Sequence, residues 1–310
     1  MTGFIDIADN PAPAGASVTE IETSDGAKLR AAFFPVDEAR GTIVLVTGWS
    51  EFIEKYFETI RDFHARRLNV AMIDWRGQGL SDRASARAQK WRGYFDLLSN
   101  DLRDFFEGHV RPRFGGPYFL MTHSMGGLPA LLLLASGFDG FSRAVLCAPM
   151  TRLFPEAQNK VIGFAAAAAS AIGFARAETA RSKDHAEIFD GNIFTSDKTR
   201  HARFRDLKLA EPKAASTTPT YGWVNDAMKA SARIHMPGAF DQLKIPVLIV
   251  TAGNEQQIDG ADHETIAASS EKISLTTIPG ALHEIMMERD SIRDLYFKAV
   301  DDFIAPALGG

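Results

Sequence analysis

Residues 117–137 read PYFLMTHSMGGLPALLLLASG. Tyr118 to Thr122 predict a strand that is apolar on both faces, and the leucine-rich stretch after Met125 predicts a helix. His123 and Ser124 stand between the two, with Gly126 and Gly127 just behind. A serine on a sharp strand-to-helix turn is the arrangement of a nucleophile elbow, G-x-S-x-G, although Thr122 replaces the first glycine here. Serine is also a favoured helix cap. The run alone therefore leaves Ser124 as nucleophile or cap, and the rest of the chain has to decide.

Working outward, the same rhythm repeats. SVTEIETSDGAKLRAAFFPV alternates apolar and polar residues and predicts a hairpin turning at Ser24–Gly26. Gly41–Gly48 and Leu68–Gly77 predict buried strands, with a helix over Ile53–Arg67 between them and an amphipathic helix over Phe95–Val110 after them. FSRAVLCAPM predicts the next strand. The pattern breaks after Met150 and resumes at IPVLIVTAG, followed by a helix, the strand KISLTTIPG and a final helix. Such alternation predicts an α/β fold with a mostly parallel central sheet flanked by helices. Residues 1–150 and 239–310 form the expected core domain, and 151–238 an Ala-rich helical insertion between two of its strands.

The chain of 310 residues is 24% charged and 45% hydrophobic, with a net charge of −5. A core of this size needs no disulfide or metal. No Lys/Arg block stands out, so nucleic acid is not an expected partner. The single cysteine, Cys147, lies in an apolar run and reads as a small buried residue, in keeping with a reducing, cytoplasmic setting. The first residues lack the basic and apolar regions of a secretory signal. VIGFAAAAASAIGFA, Val161–Ala175, is 15 residues long. That falls short of the roughly 20 needed to span a bilayer, and predicts a buried helix.

In open α/β sheets, ligands bind beyond the carboxyl ends of the strands. Thr47–Glu51, Asp74–Leu80, His123–Met125, Asn254–Glu255 and Leu282–Glu284 occupy those ends. They supply a serine, a carboxylate and a histidine in the order Ser124, Glu255, His283, which is the chain order of an α/β-hydrolase triad. A serine hydroxyl is a weak nucleophile without a neighbouring base. His283 would take its proton and deliver it to the leaving group, and Glu255 would hold the imidazole in the right tautomer. The N–H groups of Trp49 and Met125 would receive the oxyanion. Asp259 competes as the acid, but Glu255 lies nearer the strand end. Asp74 precedes the nucleophile, against that order, and its glycines predict a tight loop. His123 adjoins Ser124, yet adjacent side chains diverge on a sharp elbow. His64, His109, His185, His201, His235 and His263 are expected on exposed helices or loops, and no pair has metal-ligand spacing. Neither metal nor cofactor is expected.

Six ordered motifs, VTGWSEFIEKY, DWRGQGLSDR, THSMGG, PTYGW, GNEQQIDG and GALHEIMMERD, resemble the α/β-hydrolase superfamily. More narrowly, they resemble bacterial lysophospholipase and monoacylglycerol-lipase-like serine hydrolases, over about residues 18–306. The resemblance implies Ser124 as nucleophile, Glu255 as acid, His283 as base, and oxyanion donors at Trp49 and Met125. It also implies that the insertion is a cap, or lid, accepting a single fatty-acyl chain. Thr47-Gly48 stands where His-Gly is usual, and a glutamate where the acid is often Asp; the glutamate resembles the lysophospholipase L2 branch.

The implied activity is hydrolysis of single-chain lipid esters, lysophospholipids or monoacylglycerols, through an acyl-enzyme. A short-chain carboxylesterase and a weakly catalytic ligand-binding module are the alternatives. Lys198, Arg200, Arg203, Arg205 and Lys208 would meet anionic lipid or simply face solvent. Peripheral contact with the inner membrane would run through the cap.

Overall fold

A computed structural model describes residues 3–83, 93–179, 188–215 and 218–309. Its strands are β1 (Ser17–Glu22), β2 (Lys28–Phe34), β3 (Gly41–Val46), β4 (Leu68–Ile73), β5 (Tyr118–His123), β6 (Arg143–Cys147), β7 (Val247–Ala252) and β8 (Ile273–Ile278). They form one sheet in the order β1-β2-β4-β3-β5-β6-β7-β8. The hairpin β1–β2 is antiparallel, with Ser17 opposite Phe33, and β2 runs antiparallel to β4. From β4 to β8 every neighbouring pair is parallel. The helices are α1 (Phe57–Ala65), α2 (Tyr94–Phe105), α3 (Gly127–Ala135), α4 (Glu156–Ala169), α5 (Lys198–Ala210), α6 (Tyr221–Ile234), α7 (Asp262–Ala268) and α8 (Asp290–Ile304).

The alternation of side chains along each strand builds two cores, one on each face of the sheet. In β3, Val44 and Val46 join Leu98 and Leu102 of α2 and Leu128 and Leu131 of α3. Ile43 and Leu45 join Phe57, Ile60 and Phe63 of α1 and Tyr296 and Val300 of α8. Each such side chain, fully buried, contributes roughly 1.5–3 kcal/mol, which is why the central strands read as unbroken apolar runs. The chain passes from β3 to β4 on one side and then returns to place β5 on the other side of β3. Strand order reverses at that point, so the carboxyl ends of β3 and β5 flank the crevice where such sheets take ligands.

Two expectations are corrected. VIGFAAAAASAIGFA is helical, as α4 and the wide turn after it, but it is not buried. Val161, Phe164, Ile172 and Phe174 are 70, 79, 74 and 57% exposed, and Ala166 is the buried residue of α4. The helix packs through Ala166, Gly163, which faces Met228 of α6, and the half-buried Ile162, and leaves Val161 and Phe164 on its outer face. No helix among the described residues is long and apolar enough to cross a membrane.

The histidines are also less exposed than expected. His263 is fully buried between Thr251 and the Pro149 carbonyl (2.6 and 2.8 Å), and His201 is buried as well. His235 is half-buried against Asp262 (2.9 Å), and His64 and His109 are half-buried. His185 lies outside the described residues. Phe34 for His64, Asp262 for His235 and Pro149 for His263 come from distant parts of the chain, which local patterning does not register.

Candidate active site

Ser124 follows the extended end of β5 and has a φ of +48°, in the left-handed region that non-glycine residues rarely adopt. The turn Ser124–Gly126 leads straight into α3. A side chain at Gly126 would place its Cβ 2.6 Å from the Thr47 carbonyl oxygen, so the turn presses against the end of β3 and tolerates only glycine there. Thr122 is fitted beneath it, buried, with its hydroxyl unpaired among the described residues. Gly127 is demanded by Pro149 rather than by Thr122: a Cβ there would collide with Pro149 Cβ but lie at an ordinary 3.5 Å from the Thr122 hydroxyl.

At this elbow the Ser124 hydroxyl reaches His283 Nε2 at 2.9 Å, and His283 Nδ1 reaches Glu255 Oε2 at 2.8 Å. The other oxygen of Glu255 accepts the Gln257 N–H at 2.8 Å. Burial pushes the Glu255 carboxyl up, but the hydrogen bond and charge of His283 and the backbone N–H donors outweigh it and hold the pKa below the ordinary value. Asp259, the competing acid, turns towards Arg152 at 3.7 Å. Asp74 is buried as a structural anion: it takes Arg30 at 3.0 Å and the N–H groups of Ile53 and Leu80.

The β3 loop runs against the elbow, for a Cβ on Gly48 would sit 3.0 Å from Ser124 Cβ. The Gly48 N–H is held by Glu51 and the Ser50 N–H by Gln78, which leaves the Trp49 N–H between two fixed neighbours. The Met125 N–H opens the turn after Ser124 and so lacks an acceptor within it. The Trp49 ring packs on Trp223 of α6, with centroids 4.6 Å apart.

The segment between β6 and β7 also reaches the loop of His283. The Glu284 N–H donates to the Phe194 carbonyl at 2.8 Å, and Thr195 donates to the Met287 carbonyl at 2.7 Å. Glu288 is fully buried and accepts the Leu282 N–H, closing the loop that carries His283.

Sequence reasoning missed a buried group behind His283. Glu51, Lys55, Tyr56 and His123 are all within 3% of complete burial, and Glu284 joins them. Glu51, His123 and Glu284 offer three donor atoms within 4.8 Å of one another, as a metal site would. The Lys55 ammonium lies among them, bonded to both carboxylates, and already supplies the cation. The i, i+4 spacing of Glu51 and Lys55 was the only local signal.

A hydrogen-bonded serine and histidine at an elbow, placed where the order of a mostly parallel sheet reverses, define an α/β-hydrolase. A family model described as serine aminopeptidase, S33 (Hydrolase_4) matches residues 37–290, and the chain belongs to that family. It is 26% identical to the probable lysophospholipase L2 of Haemophilus influenzae, across 87% of this chain and 85% of that one. It is 27% identical to lysophospholipase L2 of Escherichia coli, across 84% and 79%. Among solved structures, a soluble variant of monoglyceride lipase from Saccharomyces cerevisiae, in complex with a substrate analog, superimposes with a TM-score of 0.75 at 21% identity, covering 94% of this chain and 96% of that one. The last likeness is one of fold.

Proposed function

We propose that the protein is a carboxylic-ester hydrolase that releases the fatty acid from single-chain lipids, lysophospholipids or monoacylglycerols. Ser124 is the nucleophile, His283 the general base and acid, and Glu255 the carboxylate that orients it. The observation that carries this reading is the unbroken hydrogen-bond chain from the Ser124 hydroxyl to Glu255, at 2.9 and 2.8 Å. Ser124 Oγ attacks the ester carbonyl as His283 Nε2 takes its proton. The oxyanion is received by the N–H groups of Trp49 and Met125. His283 then protonates the departing alcohol, and the acyl-enzyme is hydrolysed by water activated at the same nitrogen.

Residues 151–238 act in this reading as a cap over a core of 1–150 and 239–310. Between α3 and the cap runs a narrow seam, lined mainly by Leu128, Met150, Leu153, Ala227 and Met228, with Thr151, Asn159 and Ser231 at its polar side; it is too tight to admit a water molecule. The Met150 N–H donates to the Ser124 carbonyl, which ties one wall of the seam to the backbone at the proposed nucleophile. Its apolar lining suits an acyl chain. The seam is closed in this structure, so an acyl chain of any length requires α4 to shift outward.

The exposed Val161, Phe164, Ile172 and Phe174 give α4 and its following turn an apolar surface suited to the interface of a lipid bilayer. We place the working enzyme in the cytoplasm, at the inner membrane; the free, buried Cys147 accords with a reducing compartment. The arginines of α5 are not counted among the lipid contacts, since Arg200 and Arg203 are engaged by Glu58 and Arg205 by Asp206.

The test is a hydrolysis panel of lysophosphatidylcholine, lysophosphatidylethanolamine, monoacylglycerol and p-nitrophenyl esters of rising chain length, run beside a fluorophosphonate probe. Labelling that Ser124→Ala abolishes, with turnover of the lipid esters, is the expected result. Turnover restricted to short soluble esters overturns the lipid assignment, and absence of labelling overturns catalysis. Phe164→Ser/Phe174→Ser should weaken sedimentation with anionic vesicles while p-nitrophenyl acetate hydrolysis is kept; unchanged sedimentation overturns the membrane role.

A further inference from the structure

The buried group behind His283 connects two parts of the site that approach from opposite strands. Glu51 Oε2 accepts the Gly48 N–H and the Tyr56 hydroxyl, each at 2.5 Å. Its Oε1 accepts Lys55 Nζ at 2.6 Å and faces His123 Nδ1 at 2.9 Å. Three donors, the Gly48 N–H, the Tyr56 hydroxyl and the Lys55 ammonium, hold the carboxylate in its ionised form, so towards His123 it acts as an acceptor. His123 Nε2 lies 3.2 Å from the His283 carbonyl oxygen. Neither the carboxylate nor the carbonyl can donate, so both ring nitrogens of His123 must do so. A neutral ring would set one nitrogen lone pair against an oxygen lone pair in a dry interior, the costly state for a buried polar group.

The charges around His123 agree with a cation. Glu51 comes from the β3 loop, Lys55 from the turn before α1, Glu284 from the loop after β8, and Cys147 from the neighbouring strand β6, in register with His123. Burial opposes the charge on His123, but the Glu51 and Glu284 carboxylates outweigh it and raise the pKa above the ordinary histidine value. Burial likewise works against ionised Glu51, and the His123 and Lys55 cations hold its pKa well down. Two carboxylates thus face two cations.

We propose that Glu51 and His123 are positioning residues for the hydrolysis proposed above: Glu51 ties the loop carrying the Trp49 N–H to a doubly protonated His123, which fixes the loop of His283 through its backbone carbonyl. The inference rests on that functional reading. One carboxylate then sets the spacing between the Trp49 N–H and the general base, and the His123 ring stands 5.0 Å from the His283 ring, centroid to centroid. The substrate touches neither residue, so the role shows in turnover more than in binding.

The experiment combines nitrogen NMR of histidine-labelled wild-type enzyme with steady-state kinetics of Glu51→Gln, His123→Gln and His123→Ala, each checked for folding by its thermal transition. At neutral pH both ring nitrogens of His123 should carry protons. Glu51→Gln should lower kcat on the order of 100-fold, because a small displacement of reacting groups has that effect. KM should change less than about 3-fold, the pattern of an interaction felt in the transition state. His123→Gln, whose amide can still donate to the His283 carbonyl, should retain more kcat than His123→Ala. If Glu51→Gln does not fold, the wild-type spectrum and the His123 pair decide. A singly protonated His123 in an active enzyme, or a folded Glu51→Gln with wild-type kcat, overturns the positioning role alone. A wild-type protein that hydrolyses no ester overturns the functional reading and this role with it.

Discussion

His283 Nδ1 donates to Glu255 Oε2 across 2.8 Å, from a loop that the chain reaches 28 residues later. Asp259 has the same chemistry but spends it on Arg152. Glu255→Gln should therefore lower kcat by about 10⁴-fold, the size seen when a triad acid loses its charge and the wrong tautomer is held. Asp259→Asn should stay within about 2-fold. Steady-state turnover of a p-nitrophenyl ester distinguishes the two, and a comparable loss in both variants would deny Glu255 its separate role.

Acid should weaken the attachment of α5 to the core. Glu58 of α1 accepts Arg200 at 2.7 Å and Arg203 at 2.6 Å, and Arg293 stands 3.6 Å away. Burial alone would raise its pKa, but the arginines bring it from 4.5 to about 2. A folded-state pKa below the unfolded one means that the unfolded chain binds more protons in this window. The stabilisation is then complete above the unfolded value and fades as pH falls towards the folded one. Wild type should exceed Glu58→Gln by about 1–2 kcal/mol at neutral pH, allowing for partial solvent screening. Thermal or urea unfolding at falling pH should show the gap closing between about pH 4.5 and about pH 2; a constant gap would refute the linkage.

Thr122→Val should stabilise the protein. The Thr122 hydroxyl is buried beneath the elbow with no partner among the described residues. Leaving such a group unpaired costs roughly 1–3 kcal/mol, and valine keeps the shape while removing it. An increase of about 1 kcal/mol in unfolding free energy with unchanged kcat is expected. A loss of kcat would instead give the hydroxyl a part in the turn.

The sheet was legible because both faces of its central strands are buried, so β3, β4 and β5 appear as continuous apolar runs. The strand ends were legible for the same reason: a buried run has to stop where the chain emerges, and polar chemistry begins there. That placed Ser124, Glu255 and His283 at positions the structure brings within hydrogen-bond distance. What lay hidden depends on long-range company. Glu51 reads as a loop acid until Lys55, His123 and Glu284 are folded around it. Phe164 reads as core until α4 is seen to rest on its alanines and glycine.

The left-handed backbone at Ser124 has a thermodynamic consequence apart from chemistry. A serine held at φ +48° is strained by the order of 1–3 kcal/mol, a penalty glycine does not share. Ser124→Gly should accordingly melt at a higher temperature than the active protein while hydrolysing nothing. The position proposed as the nucleophile is then a weak point of the fold, and losing function there makes the molecule sturdier.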